Sequence, residues 1–220
     1  LKARIERTIM NAKDPASIEA RIRATETETA QLAGHARASR WSRRVFAACV
    51  ASLLLAEVTL WSRALWWFPQ LPERFPVHFN ASGTPDRWSE RGAAWFLLPG
   101  LSLGIIAFFG LIAWSIKPLV HGAPGLVNVP QKDLFVRLSA AGREVVLAPT
   151  RAYLAWVISL VAWLFVWILE GSARVAVGQA ATLSSWPVFV FLALVLGTLL
   201  PFYLTTSRAI QETAKREGLT

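Results

Sequence analysis

The chain has little with which to do chemistry. Its 220 residues include one cysteine, one methionine, two tyrosines and three histidines, and only 17% are charged. The lone Cys49 sits inside an apolar run, so no intramolecular disulfide can form and a thiolate metal site lacks its other ligands. No His or Cys stands at metal-ligand spacing from another, and no Ser occupies a nucleophile motif. No cofactor is expected. The net charge of +9 comes without any recognised nucleic-acid motif, so nucleic acid is not an expected partner.

Apolar residues are abundant instead, at 54% of the chain with 11 Trp and 12 Phe, and the mean hydropathy is +0.42. They fall into runs close to the roughly 20 residues that cross a bilayer as a helix. The expected fold class is all-α: an integral membrane protein with four transmembrane helices, a structured outward loop and a cytoplasmic N-terminal helix.

Residues 1–44 form a polar, basic arm, in which Asp14 and Pro15 give an N-cap and a first helical position for a helix from Pro15 to about Leu32. Because the chain begins on Leu1 and not Met, an earlier start is expected. The predicted spans are 45–62, 93–116, 152–170 and 186–204, with a loop at 63–92, a second polar loop at 117–151 and a tail at 205–220. The first span follows Arg37, Arg40, Arg43 and Arg44, and reads as a signal anchor, since the leader is too long for a cleaved signal peptide. Pro99 in the second span should bend it, and Pro201 should bend or end the fourth. Gly100 and Gly104 make a small-xxx-small pair that lets helix backbones approach. Gln131 to Leu147 reads as a short helix.

Charge sets the expected orientation. Of 23 Lys and Arg, 18 lie in the arm, the 117–151 loop and the tail. Cytoplasmic loops of membrane proteins carry the excess of Lys and Arg, so both termini and that loop are expected in the cytoplasm of a multi-pass cell-membrane protein. All the net charge then falls on the cytoplasmic face, where anionic lipid head groups are its expected partner.

The other loop carries the most specific pattern. Leu71-Pro72-Glu73, Pro76-Val77-His78-Phe79-Asn80, Gly83, Pro85-Asp86 and Trp88, followed directly by a span, resemble the bacterial membrane domain DUF1648, which also occurs at the front of SdpI-type immunity proteins. The resemblance covers roughly Val45 to Ile116. More loosely, Asn128-Val129-Pro130-Gln131-Lys132-Asp133 is similar to a stretch that follows the domain in many relatives, although Leu134-Phe135 stand where a Tyr-Trp pair is common and a paired Arg is reduced to Arg143. The resemblance implies no assigned activity for most members. For the SdpI type, which carry a second membrane domain, it implies toxin immunity and signalling by holding a repressor at the membrane.

In physical terms 71–88 reads as two turns. Asn80 to Gly83 offers an Asx turn and Thr84-Pro85-Asp86 a second, with His78 bonding Asp86 or a backbone carbonyl to lock them together. Asn80-Ala81-Ser82 also fits a glycosylation sequon. Glu57 is the one carboxylate well inside a span, and such groups are functional suspects by default; it is expected to reach the interface, to bond beside Thr59 or Ser62, or to pair with Arg63 or Arg91. The expected function is non-enzymatic: an immunity or envelope-sensing factor whose outward loop meets an extracytoplasmic peptide or lipid. A subunit of a larger membrane complex, with a protein partner or second copy against Gly100 and Gly104, is the alternative. A membrane enzyme using His78 and Asp86 is the third reading.

Overall fold

The computed structural model describes residues 43–220; the predicted N-terminal arm, with its helix, lies outside them apart from Arg43 and Arg44. Four helices are long and apolar enough to cross a membrane: α1 (Arg43–Gln70, closing in a 3-10 turn at Phe68–Gln70), α2 (Leu97–Gly122, entered through a 3-10 turn at Ala93–Phe96), α4 (Ala140–Ala176) and α5 (Trp186–Arg216). Between α1 and α2 lies a hairpin of β1 (Arg74–Phe79) and β2 (Pro85–Glu90), and between α2 and α4 a short helix, α3 (Lys132–Arg137). The body is therefore all-α with one two-stranded sheet among the described residues, and the chain is a multi-pass membrane protein.

Several boundaries differ from those read in the sequence. With 37 and 31 residues, α4 and α5 extend about 55 and 46 Å at 1.5 Å per residue, well past a hydrocarbon layer of about 30 Å. Residues 140–151 of the predicted 117–151 loop and 205–216 of the predicted 205–220 tail thus belong to the long helices. Pro201 lies inside α5, which continues another 15 residues to Arg216. Pro99 falls in the first turn of α2, where its missing N–H has no helical partner to lose. The expected helix from Gln131 to Leu147 is instead split at Leu138 and Ser139: Ser139 is the N-cap of α4, its hydroxyl accepting from the Gly142 N–H at 3.0 Å.

Two cores hold the helices. At the hairpin end Leu60, Ala64, Trp67, Leu71, Phe75, Trp95, Leu169 and Ala173 are buried together. At the other end Val120, Phe135, Leu138, Val146, Leu147, Ile210 and Ala214 form the second. Phe135 is fully buried there. Between the two ends α2 and α5 turn large apolar side chains outward, among them Phe108, Leu111, Trp114, Phe189 and Leu196, as a lipid solvent permits. Gly100 and Gly104 lie on this open surface with nothing within 4 Å of where a Cβ would stand. The close helix approach they allow is not made among the described residues.

Candidate functional site

The hairpin is built from the motif residues. Leu71 and Phe75 are each 2% exposed, and the Phe75 ring meets Trp95 edge to face at 5.5 Å. The Trp95 indole N–H donates to the Ala64 carbonyl at 2.8 Å, tying the loop's base to α1. Arg91 closes the base, its backbone N–H donating to the Glu73 carbonyl at 2.7 Å and its guanidinium to the Leu71 carbonyl at 3.0 Å. Pro76 is buried opposite Trp88, whereas Pro72, Val77, His78, Asp86 and Trp88 remain exposed.

The expected Asx turn is present. Asn80 Oδ1 accepts from the Ser82 N–H at 3.0 Å, the Ser82 hydroxyl at 2.7 Å and the Thr84 N–H at 3.0 Å, while Gly83 takes φ +78°. The second expected turn does not form: Pro85 opens β2 and pairs with Phe79. Backbone pairing across the loop replaces it: Arg74–Phe79 and Pro85–Glu90 run antiparallel, with Phe75 and Pro76 buried. The register slips on both sides of His78, which faces Arg87, and the bulge leaves His78 Nδ1 2.5 Å from Asp86 Oδ1. Both side chains of that pair are exposed, 51% and 41%.

The tip of the hairpin docks on the α4–α5 connection. Leu183 N–H donates to the Gly83 carbonyl at 2.8 Å, and Ser185 Oγ lies 3.5 Å from the Ala81 carbonyl. Beneath, Glu170 of α4 collects four donors: Arg63 Nε and Nη2 at 2.9 and 3.0 Å, the Trp67 indole N–H at 2.9 Å and Arg174 Nε at 3.1 Å. The Arg63 guanidinium also lies over the Trp66 ring, 4.2 Å from its centroid. Sequence reasoning missed Glu170 as the hub. Its signal was its place at the end of an apolar run, one helical turn before Arg174.

Glu57 does not join this cluster. Arg63 is taken by Glu170 and Arg91 by the Leu71 carbonyl, and the Thr59 hydroxyl donates to its own helix at Leu55. Instead Glu57, 8% exposed, accepts from the hydroxyl of Ser102 on α2, and its Oε2 is buried without a partner among the described residues. Of the alternatives read for Glu57, pairing with Arg63 or Arg91 is not the one the structure shows: the side chain that bonds it, Ser102, comes from α2.

At the opposite end the second motif shapes a connection. Gln131 adopts φ +51°, its carbonyl accepts from Leu134 and Phe135 N–H at 3.0 Å, and its side chain donates to Ser207 at 2.7 Å. Lys132 and Asp133 open α3 at the surface, while Asn128 and Pro130 line a cavity of about 140 Å³ against α5. Nearby, Ser139 donates its N–H and hydroxyl to Glu217 at 2.7 and 2.5 Å. These bonds hold the Glu217 carboxyl below the usual carboxylate range.

The arrangement can hold a fixed, half-polar face: Val77, His78, Asp86 and Trp88 exposed on a hairpin secured at base, flank and tip. Among the described residues no cluster of three or more His, Cys, Asp or Glu is placed to hold a metal.

Comparison with known proteins fits this picture at the level of the domain. An uncharacterized protein of Archaeoglobus fulgidus is 34% identical over 77 residues, which make up 35% of this chain and 42% of that protein, so the chain spans less than half the relative's length. No solved structure matches. Residues 58–103, running from α1 through the hairpin into the start of α2, match the family described as domain of unknown function DUF1648.

Proposed function

We propose that the protein is a non-enzymatic membrane protein of the immunity or envelope-sensing kind. Its hairpin faces away from the cytoplasm and recognises an extracytoplasmic peptide or lipid. The observation that carries this reading is the rigid mounting of an exposed face. The hairpin is fixed by Gly83 to the second connection, by Arg91 to Leu71 and by Phe75 to Trp95, yet leaves Val77, His78, Asp86 and Trp88 uncovered. Preorganised surfaces of this sort lose little entropy on binding. The excess of Lys and Arg toward the other end supports the orientation.

Deleting the gene should sensitise cells to a peptide or envelope toxin. His78→Ala, Asp86→Ala and Trp88→Ala should each abolish rescue while the protein still inserts. Rescue that persists when all the exposed hairpin positions are scrambled would sink the reading. Orientation is tested with Ala81→Cys and Leu126→Cys in a Cys49→Ala background: an impermeant thiol reagent added to intact cells should label the first and not the second.

The open Gly100 and Gly104 surface favours a second reading, a subunit of a larger membrane complex. It predicts co-purification of a membrane partner in mild detergent, lost in Gly100→Leu; a monodisperse single species counts against it.

A further inference from the structure

Behind the hairpin lies a cavity of about 130 Å³, walled by Phe75 and Pro76 of β1, Trp95 and Leu98 at the entry to α2, and Leu169 and Ser172 of α4. Its side chains are apolar except one. Ser172 is 9% exposed, and its hydroxyl bonds to no described residue, including the carbonyl one turn back. The side chain is nine-tenths covered by protein, yet its hydroxyl borders the cavity with no protein acceptor, so a ligand that offers one can take its hydrogen bond.

The chemistry of the lining selects that ligand. No charged side chain borders the cavity, so a phosphate or carboxylate would enter uncompensated, whereas a neutral carbonyl on an apolar chain satisfies every wall. The volume is close to the ~150 Å³ that takes one benzene ring, enough for a few methylenes. Depth points the same way. Ser172 stands two residues from Glu170, whose Arg63, Trp67 and Arg174 partners form an Arg and Trp girdle where the apolar run of α4 ends. Such a girdle marks the membrane–water boundary, the level of lipid head groups and their ester linkages. Leu97, 69% exposed, and Val77, 45% exposed, stand at the cavity's margin.

We propose that this cavity is a lipid site: an acyl chain of a glycerolipid from the hairpin-side leaflet inserts between β1, α2 and α4, and its ester carbonyl accepts a hydrogen bond from Ser172. The lipid packs beneath the recognition face without touching His78 or Asp86. The inference rests on the hairpin being a fixed element, as proposed above, and shares only Val77 with the exposed face.

Native mass spectrometry of the full chain in mild detergent tests it, with diacyl phosphatidylcholine against its dialkyl ether analogue of equal chain length. The ether lacks the carbonyl. Wild type should retain the ester lipid roughly three- to tenfold more tightly, the worth of one ordinary hydrogen bond. Ser172→Ala should bring the two lipids to parity, Ser172→Thr should restore the preference, and Leu98→Trp, which fills the cavity, should lose retention of both. Should Leu98→Trp fail to fold, the alanine and threonine pair still decides. Parity in wild type, or an ester preference that survives Ser172→Ala, would overturn the proposal. His78→Ala and Asp86→Ala should leave the preference intact, so a failed rescue assay and a failed lipid assay report on different claims.

Discussion

The Leu183 N–H donates to the carbonyl of Gly83, joining two connections a hundred residues apart in sequence at a distance of 2.8 Å. Gly83 serves there for two independent reasons. Its φ of +78° is a left-handed conformation that L side chains rarely adopt, and a Cβ would run into the Leu183 carbonyl oxygen. The motif glycine is thus both the turn's hinge point and the seat for a second segment.

Substituting it separates those roles. Gly83→Asn, tolerant of positive φ but not of the close approach, should still lower stability, and Gly83→Ala should cost about 2 kcal/mol or more from strain and collision combined. Thermal melts in detergent read the loss, and hydrogen exchange should rise across 80–90 and 181–185 together. Faster exchange in the hairpin alone would show that the two connections are not coupled.

Arg63 and Glu170 form the main polar tie between α1 and α4, part-buried at 34% and 20% side-chain exposure. Arg63→Lys keeps the charge but loses the two-pronged geometry, and should recover less than half of the stability lost in Arg63→Ala. A double-mutant cycle with Glu170→Gln should give a coupling of about 1 kcal/mol. Additive effects within error would reduce the contact to a surface ion pair.

Removing the Ser102 hydroxyl leaves Glu57 with no partner among the described residues. Ser102→Ala should therefore destabilise by about 1–3 kcal/mol, the cost of an unmet buried polar group. Ser115→Ala on the same helix, whose hydroxyl bonds only to Ile112, should cost less. Equal effects on detergent melts would mean that Ser102 does not support Glu57.

The contact of Glu217 with Ser139 should depend on pH. Its carboxyl is held below the ordinary value, first by the Ser139 hydroxyl and then by the Ser139 N–H. A depressed folded value means the charged carboxylate is favoured by the fold. The contribution is therefore fully present above the unfolded glutamate value of about 4.3, and disappears as pH falls through the lower folded value. Protection of the C-terminal residues from carboxypeptidase digestion or hydrogen exchange should fall over that acid window, and Glu217→Gln should remove the step. A step that persists in the variant would assign it to another group.

The four spans could be read from the chain because hydropathy and run length are local properties, carried by stretches such as 45–62 and 186–204 whatever they pack against. The Asx turn was legible for the same reason: Asn80 reaches donors only two and four residues away. The breadth of α4 and α5 was not, since the polar stretches of the 117–151 loop and the 205–220 tail show no span of their own, and continue those helices where Val146, Leu147, Ile210 and Ala214 find a shared core. Nor could one sequence show that Pro201 would sit within a continuing helix.

Partner choice belongs to the tertiary structure. From the sequence Glu57 and Glu170 are two carboxylates in or near apolar runs, with Arg63 within reach of either. Only the relative placement of α1, α2 and α4 gives Arg63 to Glu170 and leaves Glu57 to a serine. Likewise the sequence placed His78 near Asp86, eight residues on, but strand pairing and the bulge beside His78 bring the two into contact. Short-range geometry and solvent preference are written along the chain; which distant groups meet depends on how helices pack, and packing is a property of surfaces no single segment contains.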